Sequence, residues 1–211
     1  MRSFVRESLK VLMFLAVVLA CAAGVLKAFF VDIVRVGHSG MAPTMFVGDQ
    51  VVMWRGAELQ RDDIALCRHP SQPGRFVVGR VAAMPGESLR LERGTMFVAG
   101  FRSSRDGRGQ VQFVDPETAR TYRMNWGIED YSSYQTHLFF DRADRAFAMR
   151  DQAAVRGLFL LSDNRGHVGE DSRAFGVVQP ENCLGQIFMR LRATDTGVPE
   201  EIPHGHLDLL D

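Results

Sequence analysis

Residues 28–53 read AFFVDIVRVGHSGMAPTMFVGDQVVM, and this stretch decides the fold. On its N-terminal side, the 16 residues from Val11 to Leu26, VLMFLAVVLACAAGVL, carry no charge. On its C-terminal side the chain turns into short apolar runs broken by Gly, Pro and Asp. A membrane-crossing helix needs about 20 apolar residues; AFFV extends the run past Lys27, whose long side chain can snorkel to the interface. Arg2, Arg6 and Lys10 precede the run against a single Glu7. That basic excess predicts a cytoplasmic N-terminus and a domain on the far side of the membrane. A cleaved signal peptide with CAAG as its cleavage region, or a lipoprotein box at VLAC, would use the same residues. The uncleaved anchor fits better, because the first motif of the following domain begins so soon after the run.

Beyond the anchor, DIVRV, QVVM, IALC, RFVVGRVAAM, SLRLE and TMFVAG alternate in part and are punctuated by turn residues, which is the pattern of short strands. GLFLLSD and CLGQIFMRLR read as further strands near the end. The expected fold is mostly β: an N-terminal transmembrane helix over residues 1–30, then an all-β domain over 31–195. Between about 101 and 150 the composition turns charged and aromatic-tipped, which marks an inserted β-rich subdomain. The tail 196–211, TGVPEEIPHGHLDLLD, is polar and acidic and is expected to be disordered. The 25 basic and 25 acidic residues cancel, so no field favours nucleic acid as a partner. Cys21 lies in the apolar run, and Cys67 and Cys183 are expected to be two separate buried thiols. His204 and His206 lack further ligands, so no metal and no cofactor is expected.

These motifs, in this order, resemble the bacterial type I signal peptidase family, also called leader peptidases: membrane-anchored serine endopeptidases with a Ser/Lys pair on an all-β fold. Pro43, Thr44, Gly48 and Asp49 match the continuation of the family's nucleophile loop. RDDIALCRHP is similar to its next strand, and GRVAAMPGESL is similar to its lysine segment. LSDNRGHVGEDSRAFGVVQPENCLGQ matches its final signature through Asp163, Asn164, Arg165, Asp171, Ser172, Arg173 and Gly176. Those signature residues are expected to persist as a structural knot of ion pairs and hydrogen bonds.

The departures fall on the chemistry. Aligned through Pro43-Thr44, the serine position is Gly40; aligned through Pro85-Gly86, the lysine position is Gly79. Attack on an amide needs an oxygen nucleophile and a neutral amine to take its proton, and glycine supplies neither. No lysine follows Lys27, and Arg80 stays protonated. A displaced site would use Ser39 as nucleophile with His38 or His167 as base. If this loop is extended, a one-residue slip turns Ser39 to the opposite face, unless a bulge at Gly40 re-aims it. His38 more simply occupies the oxyanion region, where the family often has a second serine. The last signature also departs: Ser162 stands for its first glycine, and one residue is inserted before Asp171.

The resemblance implies that a substrate lies extended against Val34, Val36, Met41, Met45, Val77 and Val78, with small side chains in apolar pockets. Ordinary core is the alternative for those residues. Two functions remain open: an inactive, signal-peptidase-like membrane protein that binds signal peptides or exported polypeptides, and an active signal peptidase using Ser39. The first would work in the bacterial inner membrane, in contact with membrane lipid and with an active signal peptidase or an envelope assembly as partner.

Overall fold

The computed structural model describes residues 2–92, 95–115, 119–131, 134–140, 149–152, 154–167, 169–195 and 198–210. Val168 of the final signature, residues 141–148 of the insert and the expected tail boundary at Thr196 lie outside these described residues. Helix α1 runs over Arg2–Phe29. Its segment Ser8–Phe29 is 22 residues long with mean hydropathy 2.5 and is exposed along the span, so it is long and apolar enough to cross a membrane. The chain leaves it directly into strand β1, Val31–Arg35. The exit is fastened: Arg55 donates Nη1–H to Ala28 O at 2.8 Å and Nε–H to Asp32 Oδ2 at 2.9 Å.

The main sheet continues with β2 (Gln50–Arg55), β3 (Ile64–Arg68) and β4 (Phe76–Ala83). There follow β5 (Leu89–Glu92), β6 (Thr95–Val98) and β7 (Phe101–Arg102). The insert holds β8 (Ser104–Asp115), β9 (Arg120–Tyr131) and β10 (Tyr134–Phe140). The chain returns through β11 (Met149–Gln152), β12 (Phe159–Leu161), the one-turn helix α2 (Ser172–Phe175), β13 (Cys183–Arg192) and β14 (Asp208–Leu209). The strand order of the main sheet is β1-β2-β13-β3-β4-β12, with β14 added on β13. The insert forms its own sheet, β10-β9-β8, and β11-β5-β6-β7 make a third. The ladder pairings among the described residues of these sheets are antiparallel, which suits strands joined by short turns. The expected all-β domain with a β-rich insert is what forms.

Two expectations need correction. Cys67 and Cys183 are not separate thiols but a disulfide across 116 residues of sequence. They face one another on β3 and β13, a juxtaposition created by a long-range ladder that no local pattern encodes. The tail is not disordered where it is described. Ile202 and Leu210 are 3% and 8% exposed, and β14 pairs with β13. Two apolar anchors and one open strand edge outweigh the polar composition.

Candidate functional site

Gly40 sits in a 3₁₀ turn, Ser39–Met41, entered from the extended His38. His38 Nδ1 accepts the Gly40 N–H at 3.1 Å and so caps the turn with its own ring. From the other side the Asn164 N–H donates to Gly40 O at 2.9 Å, and Asn164 Nδ2 reaches Ser39 O at 3.4 Å. Ser39, Gly40 and Met41 are all buried. A side chain on Gly40 would enter occupied space: its Cβ would lie 2.9 Å from His38 Nδ1 and 3.3 Å from Ser162 Oγ. The extended chain assumed around Ser39 is therefore replaced by a tight turn, in which successive side chains diverge by about 120°.

Gly79 lies in β4 opposite Ala65 of β3. A Cβ there would stand 2.9 Å from Leu160 Cβ and 3.4 Å from Leu161 O. Leu160, 1% exposed, packs with Val77, Val81, Leu158 and Val178. Neither glycine thus borders an empty hollow. Imidazole and hydroxyl close over one, and a leucine over the other.

The signature residues hold this arrangement from behind. Asp163 accepts Thr44 Oγ1–H at 2.6 Å and a forked pair from Arg80, Nε at 3.1 Å and Nη2 at 3.0 Å. Arg80 Nη1 also donates to Asp62 O at 2.7 Å, so this guanidinium is bound on both sides and holds no proton acceptor. Asp171 caps α2, accepts the Ser162 N–H at 3.0 Å, and takes Arg173 through both its backbone and guanidinium. Ser172 Oγ accepts the Leu160 N–H at 2.9 Å. Arg165 crosses to the insert and donates to Glu129 Oε2 at 2.6 Å. The segment from Ser162 to Arg173 thereby fixes both neighbours that crowd the glycines. Asp62 is the strained partner. Burial pushes its carboxyl up to about 6 despite the nearby Arg80 and Arg61, and its Oδ2 has no hydrogen-bond partner among the described residues.

Of the six apolar positions, Val36, Met41 and Met45 are buried in one cluster with Val51, Ile64 and Leu66. Val34 and Val78 pack at its margin, partly buried. Val77 points to the opposite face and joins the Leu160 cluster instead. His167 is held by its N–H to Asn164 O in the signature loop, and Lys27 stays on the anchor helix. No group of three or more metal-ligating side chains occurs among the described residues. Sequence reasoning missed Ser162 and Leu160 as the residues that face the two glycines. The serine in place of a glycine at 162 was the one visible signal.

The family described as "Signal peptidase, peptidase S26" matches residues 7–192. A curated relative, "Signal peptidase I" from Pseudomonas fluorescens, is 25% identical over 197 residues, covering 78% of this chain and 66% of the relative. The chain thus spans just under two thirds of that relative's length.

Proposed function

The chain belongs to the signal peptidase family, peptidase S26, and from that premise we propose that it is a membrane-anchored pseudopeptidase. It binds signal peptides or exported polypeptides and does not cut them. One observation carries the reading: at Gly40 and Gly79, the positions that the motifs align with the dyad, neighbouring side chains crowd the space that a Cβ would need. Loss of a serine-protease nucleophile or base lowers turnover by about a millionfold, far below what a processing enzyme needs. The apolar cluster around Met41 and Met45, beside the free edge of β1 and the first residues of β4 that precede its pairing with β12, supports a retained peptide-binding frame. A binding protein on this scaffold can assist an active relative or an envelope assembly.

Two features support an extracytoplasmic placement of the β domain. The basic residues before the apolar helix favour a cytoplasmic N-terminus. The Cys67–Cys183 disulfide suits a domain on the oxidising, extracytoplasmic side. Photo-crosslinking from Val34 and Val78 to a preprotein tests the binding function; the reading expects crosslinks to the signal-peptide region and no shortened product. Absence of any crosslink at either position would remove it. The active alternative rests on Ser39 following His38 in the buried turn, with His38 Nδ1 and Ser162 Oγ each within 3.3 Å of the Cβ position of Gly40, and it requires cleavage that one Ser→Ala change abolishes.

A further inference from the structure

Leu210 shares the apolar cluster of Val36, Met41 and Met45, and the segment that brings it there is fastened along its length. His204 Nε2 meets Asp49 Oδ2 at 3.0 Å, and its ring stands edge-on to Phe46 with centroids 4.7 Å apart. Arg190 is fully buried and ties the segment to the Gly40 loop with one guanidinium. It donates Nε–H to Gly205 O at 2.8 Å, Nη1–H to Thr44 O at 2.6 Å and Nη2–H to Asp208 Oδ2 at 2.5 Å. Strand β3 begins at Ile64 opposite Ile187, so the later part of β13 has an open edge on that side. β14 takes it through Met189↔Leu209 and Arg190↔Asp208, and the Leu210 N–H reaches Phe188 O at 2.9 Å. The orientation is selective. Leu207 and Leu209 are 70% and 64% exposed, and Leu210 alone of the three turns inward. A cavity of about 160 Å³ remains between the segment and Thr44, Arg80 and Thr136.

The geometry points to residues 203–210 as a built-in plug of the peptide cleft. Leu210 fills the apolar pocket that a bound peptide's side chain would take, and peptide binding requires the segment to leave. This inference rests on the peptide-binding reading above. The plug acts through a side chain only. The outer edge of β1, and β4 at Phe76–Val78 where β12 pairs only from Arg80 onward, have no ladder partner among the described residues. Main-chain pairing positions therefore stay available while the side-chain pocket is closed.

The test uses the full chain in membranes and a synthetic signal peptide ending in Ala-x-Ala with a photoreactive residue. Two variants bracket the wild type. Leu210→Asp weakens the seating of the plug without replacing Arg190 or the groups it holds at Gly205 and Asp208. Leu209→Cys with Met189→Cys joins register partners and locks the plug in when oxidised, with the single Leu209→Cys variant as its control. Because apparent affinity scales with the fraction of molecules in the open state, Leu210→Asp is expected to raise crosslinking by roughly tenfold. The oxidised tether should fall below wild type, and peptide should accelerate hydrogen exchange at the Leu210 amide in the wild-type chain. Equal crosslinking in the loosened and tethered proteins would overturn the plug and leave the binding function standing. No crosslinking in any variant would overturn both. The tethered variant and the wild-type exchange measurement decide the matter even if Leu210→Asp does not fold.

Discussion

A Cβ on Gly79 would stand 2.9 Å from Leu160 Cβ, at the root of a buried side chain that cannot swing aside. Gly79→Ala gains about 0.4–1 kcal/mol from a less flexible unfolded chain. Overpacking of a dense core costs about 1–3 kcal/mol, so the net effect is destabilising. Thermal unfolding should fall by a few degrees, roughly 2–4 °C per kcal/mol for a chain this size. For the same reason the double change Gly40→Ser with Gly79→Lys is expected to give no peptidase, as judged by preprotein cleavage. Asp62 provides a second test at this scale. Its folded pKa of about 6 lies above the unfolded value of 3.8, so folding favours the protonated form. That contribution is present below pH 3.8 and is lost as pH rises through about 6. Asp62 has φ +73, a conformation that Asn tolerates well. Asp62→Asn should therefore match wild type near pH 4 and exceed it by on the order of 1 kcal/mol at pH 7.5, in urea unfolding at both pH values. No gain at pH 7.5 would reject the assignment.

At the scale of elements, the strands were legible because local alternation and turn residues encode them. CLGQIFMRLR became β13 to the residue, and RFVVGRVAAM became β4. What local pattern cannot encode is which strands meet. The Cys67–Cys183 bond exists because β13 inserts between β2 and β3, and the fate of the tail follows from the edge that this insertion leaves open. Likewise the proposal of missing chemistry at Gly40 and Gly79 comes from motif order alone. Their packing against Ser162 and Leu160 depends on a segment some 80 or more residues later in the chain. The disulfide closes a span of 116 residues, for which chain entropy alone gives about 4–5 kcal/mol. Cys67→Ser with Cys183→Ser is expected to lower unfolding free energy by about 2–5 kcal/mol in denaturant titrations. A change below about 0.5 kcal/mol would mean that the bond does not form in the folded protein.

At the scale of the whole molecule, one apolar helix leads into a β domain that forms three sheets among the described residues. The proposed cytoplasmic N-terminus predicts that protease added outside intact spheroplasts removes the domain and leaves a fragment of α1; protection of the full chain would reverse the topology. The family and a helix long and apolar enough to cross a membrane could be read from sequence order, whereas the state of the site depends on how side chains fill it. The central claim is that the retained frame binds without cutting. It is tested most directly by incubating the purified full-length protein, in lipid, with an export precursor, and quantifying mature product alongside labelling by a serine-directed acylating inhibitor. The account predicts product no faster than in buffer and no stoichiometric labelling. Precursor processing that Ser39→Ala or Ser162→Ala abolishes would contradict it.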